Sequence, residues 1–128
     1  WGHYTAYSDR WLRRLLHGLK PCPRIYFCRG ASSFYEQIAT LPFQAISLDW
    51  QCDPKRVRQK VSCALQGNLD PEALLGDPNC VRQEVRRIVD SMKGDPGFIF
   101  NPGHGVLKET PEKNIHVLVD AVRHVSNA

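Results

Sequence analysis

Four times along the chain, a short apolar run ends in a polar or glycine-bearing loop and gives way to a helical pattern. The runs are residues 24–28, 45–48, 61–66 and 98–100. Strands that alternate with helices form a parallel sheet, because each helix carries the chain back to begin the next strand in the same direction. The runs lack polar alternation, which predicts a sheet covered on both faces. Two architectures accept four such units. One is a small open sheet of the flavodoxin type. The other is half of a (β/α)8 barrel, since 128 residues are about half of the roughly 250 that a whole barrel takes. Periodicity alone does not separate them.

The helices have local signatures. Residues 4–20 carry Trp11, Leu12, Leu15, Leu16 and Leu19 on one stripe, with Arg10, Arg13, Arg14 and Lys20 mostly off it as a solvated face. Pro21 and Pro23 end that helix. Ser32 or Ser33 is expected to cap a helix through Phe34, Tyr35, Ile38 and Ala39. Asp53-Pro54, Asp70-Pro71, Asp77-Pro78 and Thr110-Pro111 each place an N-cap residue before a proline at the first helical position. The helix after Asp77 buries Val81, Val85, Ile88, Val89 and Met92. The last helix buries Ile115, Leu118, Val119, Val122 and Val125, leaving His116 and His124 at the surface. Nothing divides the chain internally, so residues 1–128 read as a single partial domain. Its first residue is Trp1 and no cap precedes the first helix, so a piece of a longer chain, or a processed product, is expected.

The net charge of +4 suits an anionic small molecule and is too weak to indicate nucleic acid. No apolar run approaches the roughly 18 residues of a membrane span, and no signal peptide is visible. Cys22, Cys28, Cys52, Cys63 and Cys80 contain no C-x-x-C pair, and no two histidines have metal-ligand spacing on one helix. Free thiols and no metal are expected. The glycine motifs of dinucleotide and P-loop sites are absent, as is the G-x-S-x-G nucleophile elbow.

Polar groups gather in the loops that follow the strands. These are Arg29-Gly30, Asp49-Trp50, the Gly67-Asn68-Leu69 turn with Asp70, and Asn101 through Gly103, His104 and Gly105. In a parallel barrel such loops share one rim, where ligands bind. Most have a plainer use: Asp70 as a cap, Asp49 as an acceptor for loop N–H groups, Asn68 as a turn-former, Arg29 as a rim charge paired with a carboxylate. Gly103 and Gly105 let the backbone turn tightly or approach another group closely. No apolar stripe accounts for His104, which is the strongest candidate for binding.

Leu48-Asp49-Trp50, then Leu65-Gln66-Gly67-Asn68-Leu69-Asp70-Pro71, then Phe100-Asn101-Pro102-Gly103-His104-Gly105 and Glu109-Thr110-Pro111-Glu112 resemble the C-terminal half of the uroporphyrinogen decarboxylases, in the family's order and at similar spacing. Ile25 through Gly30 resembles that family's strand-plus-ARG segment. The resemblance implies the second half of a (β/α)8 barrel and a homodimer. It also implies cofactor-free removal of four acetate carboxylates from an anionic tetrapyrrole, giving coproporphyrinogen, in haem or chlorophyll biosynthesis. A cytoplasmic enzyme is implied, or a plastid one if a transit peptide lies upstream. The family's central aspartate and its substrate-binding arginines belong to the N-terminal half, and Asp49 does not replace that aspartate. Of the usual substrate-contacting positions only His104 is present, to bind or orient a carboxylate. Pro102 stands where the family usually has leucine.

Two other functions compete. A related cobalamin- or methionine-pathway methyltransferase would need zinc held by a histidine and cysteines, and no cysteine follows His104 closely. A non-catalytic half-barrel that binds a tetrapyrrole or a partner would need no catalytic groups at all.

Overall fold

The computed structural model describes residues 2–126; Trp1, on which the reading of the chain's opening rests, lies outside them. Four strands, β1 (Ile25–Phe27), β2 (Ala45–Ser47), β3 (Ala64–Leu69) and β4 (Phe98–Pro102), form one parallel sheet in the order β1-β2-β3-β4. Helical turns α1 (Gly2–Tyr4), a π-helical turn (Thr5–Asp9) and α2 (Arg10–Gly18) precede it, joined by residues that keep helical dihedrals. The crossovers carry α3 (Tyr35–Ile38), α4 (Pro54–Arg58) and α5 (Pro78–Ser91), and α6 (Glu112–Ser126) follows β4.

The strand order separates the two architectures. An open doubly wound sheet reverses direction at a switch point, which puts helices on both faces. Here each strand is added on the same side of the last, and right-handed crossovers then stack every helix on one face. Tyr26, Ile46, Leu65 and Phe98 pack into that covered side with Tyr35, Ile38 and Val57. The opposite face, carrying Ile25 (54% exposed), Phe27 (44%) and Ile99 (45%), is bare at both edge strands. The fold is therefore half of a (β/α)8 barrel, and the expected cover on both faces is corrected. The apolar residues on the bare face are the lining of a lumen, which made the strands look buried on both sides.

Local chemistry explains most of the helices. Asp53, Asp70 and Asp77 each accept a hydrogen bond from the backbone N–H two residues on, at 2.9, 2.9 and 2.7 Å. Val81, Val85 and Ile88 then fall on one side of α5 and meet Leu69, Leu74, Leu118 and Ala121. Neither Ser32 nor Ser33 caps α3, which begins from a 3-10 turn with no side-chain cap. Thr110 Oγ1 likewise takes no hydrogen bond, so it does not cap α6. Val119 is exposed, and α6 instead buries Asn114, whose Nδ2 donates to the carbonyls of Leu74 (2.8 Å) and Gly76 (2.9 Å). Of the α2 stripe only Leu16 is buried, while Trp11, Leu15 and Leu19 face solvent beside the edge strand β1.

One strand is displaced from its expected place. Residues 61–63 are not in β3, and Gly67-Asn68-Leu69 is not a turn but the end of that strand. Gly67, Asn68 and Leu69 pair with Phe100, Asn101 and Pro102. The Gly67–Asn68 peptide is cis, and Gly67 has φ of 143°. Leu48 lies so close to Gly67 that an added Cβ would sit 3.1 Å from its carbonyl oxygen. Close packing of neighbouring strands, and not a change of chain direction, is what requires glycine there.

Candidate functional site

The loops beyond the strand ends are held together by two buried polar side chains. Asp49 is 1% exposed. Its Oδ2 accepts from the Gly30 N–H at 2.8 Å and its Oδ1 from the Gln51 N–H at 3.0 Å. It thereby ties the loop after β1 to the loop after β2. Its own N–H donates to Tyr35 Oη at 3.4 Å. Asn68 works from the next strand. Its Nδ2 donates to the carbonyls of Asp49 (2.9 Å) and Cys52 (2.7 Å), so it braces the β2 loop from the other side and does not shape a turn. Burial, then the charge of Asp49, push the Cys52 thiol up to about 12, which keeps it protonated and unreactive. Asp70 belongs to its cap and does not join this group.

His104 stands exposed on the loop that leaves β4. Its ring meets Phe27 edge-on, with centroids 5.7 Å apart, and Trp50 at 5.9 Å and 89°. Gly103 makes this possible. A Cβ there would come within 2.5 Å of Trp50 N and 2.9 Å of Trp50 Cα, so only glycine lets the β4 loop lie against the β2 loop. Gly105 has open space around its Cα and no positive φ, so the tight turn expected of it is absent. Asn101 is the penultimate residue of β4, with its Nδ2 donating to the Pro102 carbonyl at 3.0 Å. The Gly103 N–H donates to the Leu69 carbonyl at 2.7 Å, so the ladder continues past Pro102. Successive N–H groups of a strand point opposite ways, so the donor that proline lacks would have faced the open edge of the sheet.

Arg29 lies with its guanidinium carbon 4.9 Å from the centre of the Trp50 ring. Among the described residues no carboxylate pairs with it; the ion pairs involve other cations. Arg29, Trp50 and His104, from three loops, and Phe27, at the end of β1, thus form one connected group. Beside it, on the bare face of the sheet, lies a hollow of about 590 Å³. Its walls include Phe27, Pro102 and Val106, and its polar floor is Ser47 and Gln66, joined by a 3.1 Å hydrogen bond. Sequence reasoning missed Ser47, Gln66, Phe27 and the role of Trp50. The signal was present: Phe27, Ser47, Gln66 and Ile99 share one level across the sheet, one residue on from their helix-facing neighbours Tyr26, Ile46, Leu65 and Phe98.

A hollow of about 430 Å³ on the other side of Arg29 takes residues of the β1 loop alone among the strand-end loops, with Tyr4, Tyr7 and Tyr26. A larger groove between α5 and α6, lined by Arg82, Arg86, Asp120 and His124, lies on the helices and takes no residue from a strand-end loop. Among the described residues no three His, Cys, Asp or Glu side chains come together as a metal cage, and no helix is long and apolar enough to cross a membrane.

Comparison with known proteins identifies the family. The profile of the family described as Uroporphyrinogen decarboxylase (URO-D) matches residues 2–125. The chain is 42% identical over 123 residues to the uroporphyrinogen decarboxylase of Protochlamydia amoebophila, covering 94% of this chain and 34% of that protein. It is 41% identical to that of an Azoarcus species (93% and 36%) and 40% identical to that of Syntrophotalea carbinolica (98% and 38%). The chain therefore spans little more than a third of the length of these relatives. Among solved structures, a methyltransferase from Methanosarcina mazei superposes with a TM-score of 0.79 at 17% identity, over 96% of this chain and 37% of that one, which shows a shared fold. With nearly its whole described length matched by the profile, the chain belongs to the uroporphyrinogen decarboxylase family.

Proposed function

We propose that this chain is the C-terminal, substrate-contacting part of an enzyme that converts uroporphyrinogen to coproporphyrinogen. The observation that carries the reading is His104: exposed on the β4 loop, seated on Phe27 and Trp50, beside an open hollow at the strand ends. In each step the bond between an acetate CH₂ and its carboxylate breaks and CO₂ leaves. The electron pair moves into the pyrrole, which has been protonated on a ring carbon; the CH₂ then takes a proton and the ring carbon gives up its own, so each step consumes one proton. The task of His104 is to bind and orient a substrate carboxylate against the aromatic seat. Asp49 has both carboxylate oxygens engaged by backbone N–H groups and serves the loops, not the reacting ring. The aspartate that stabilises the pyrrole cation and the arginines that hold further substrate carboxylates come from the portion of the relatives that this chain does not span. The chemistry needs no cofactor. The working enzyme is a homodimer in the cytoplasm, or in a plastid where a transit peptide precedes the barrel. The methyltransferase reading has only a shared fold in its favour.

The test is anaerobic incubation of the complete native polypeptide with uroporphyrinogen, with products separated by their number of carboxylates. Stepwise loss of four carboxylates is expected. His104→Ala lowers kcat/KM by roughly 10- to 100-fold, the loss of one charge-assisted contact. A wild-type protein that leaves uroporphyrinogen intact sinks the proposal. If that protein nevertheless binds the tetrapyrrole, the non-catalytic half-barrel takes its place.

A further inference from the structure

Arg29 is an arginine without an ionic partner among the described residues, fixed in place at the rim that presents His104. Its loop leaves β1 and is pinned one residue later, where Gly30 N–H donates to Asp49 Oδ2 at 2.8 Å. Trp50 follows Asp49 directly, so the same buried carboxylate positions both the arginine and the ring it lies on, 4.9 Å away. Arg10 and Arg14 also lie over a ring, that of Trp11 on the outer helix, with guanidinium carbons 4.8 and 5.7 Å from its centre. Held over the indole by charge–π attraction, the Arg29 guanidinium donates no hydrogen bond and makes no ion pair among the described residues, so its N–H fork is left to grip a carboxylate with two hydrogen bonds. Trp50 also meets His104, at 5.9 Å, so the fork and the imidazole flank one aromatic ring.

We infer that Arg29 is a second carboxylate-binding residue of this site, taking one acidic side chain of the substrate while His104 takes another. Trp50 and Asp49 are its positioning residues. The inference rests on the proposed decarboxylase reading and deepens it. A substrate carrying acidic side chains around a ring offers two at once, and two fixed cationic or hydrogen-bonding groups on one rim set the rotation of that ring.

The experiment compares wild type, Arg29→Gln and Arg29→Lys in the complete native polypeptide, with uroporphyrinogen as substrate. Arg29→Gln is expected to raise KM roughly tenfold or more while kcat changes less than about threefold. Arg29→Lys is expected to recover part of the loss, because it restores the charge and not the fork. The thermal midpoint should not move, since Arg29 is exposed and donates no hydrogen bond among the described residues. An unchanged KM in Arg29→Gln, with active wild type, overturns the role of Arg29 and leaves the decarboxylase reading standing. If wild type shows no turnover, the decarboxylase reading fails, and binding of the oxidised uroporphyrin, read by Trp fluorescence at several salt concentrations, decides about Arg29. Binding that weakens at least fivefold in Arg29→Gln, with a shallower salt dependence, supports the carboxylate site. Equal binding by both proteins, or none by wild type, overturns it.

Discussion

Gly103 and Gly105 flank the same histidine, yet the structure gives them opposite importance. Gly103 is buried against the Trp50 backbone, and any side chain there must push two loops apart. Gly105 has nothing within 4 Å of the place a Cβ would occupy. Gly103→Ala is therefore expected to destabilise the protein by about 2 kcal/mol, as overpacking against a rigid backbone does. It should also raise KM, because His104 moves with the loop. Gly105→Ala should stay within about 0.5 kcal/mol of wild type with KM unchanged. Urea unfolding beside steady-state kinetics checks both, and equal effects at the two positions would refute the packing argument. Neither distinction is visible in the G-H-G sequence, because the atom that Gly103 meets belongs to a residue far away in the chain.

At the scale of elements, α4 shows how a charge run acquires a structural role. Lys55, Arg56, Arg58 and Lys60 make a strongly basic run in and just after α4. Arg56 and Lys60 do face solvent and make exposed pairs, which contribute little. Arg58 turns inward. Its Nε meets Asp95 Oδ2 at 2.6 Å, and its Nη1 donates to the carbonyls of Val61 (3.1 Å) and Cys63 (2.8 Å). Asp95 in turn accepts from the Gly97 N–H, so the pair joins the approach to β3 with the turn before β4. Arg58→Ala is expected to cost about 2 kcal/mol, since it strands two half-buried carbonyls and a carboxylate. Arg56→Ala should cost less than about 0.5 kcal/mol. Chemical denaturation of the two variants separates them, and a KM unchanged in Arg58→Ala shows that this end of the sheet is remote from the site. The displaced start of β3 has the same origin: the carbonyls of Val61 and Cys63, on either side of Ser62, are taken by Arg58.

The whole molecule is a sheet with one finished side. Two apolar clusters, joined through Phe98, fill the space between strands and helices. On the other side Ile25, Phe27 and Ile99 remain open, β1 and β4 are edges, and Trp11, Leu15 and Leu19 add an exposed strip along α2. Unpaired strand edges beside apolar surface favour association. The 128-residue chain on its own is expected to self-associate in a concentration-dependent way, read by sedimentation. Phe27→Ser with Ile99→Thr should reduce that association by removing apolar area from the lumen face. A monomer at all concentrations would mean that the lumen face closes on itself in solution.

The sequence by itself determined what depends on neighbours in the chain. The βα alternation, the Asp-Pro helix starts and the apolar periodicity of α5 are local, because caps and amphipathic stripes are set by residues a few positions apart. It also marked the strand-end loops, since polar and glycine-rich stretches after apolar runs need no partner to be recognised. Tertiary structure alone decided the rest. Strand order chose the half-barrel over the open sheet, and register decided that Phe27, Ser47, Gln66 and Ile99 share one level while their neighbours face the helices. Contacts between distant segments made Asn68 a brace instead of a turn, Asp49 a loop clamp, and Trp50 the ring shared by Arg29 and His104. Those roles arise only when separate loops are brought to one rim, and a linear pattern carries no record of which loops will meet.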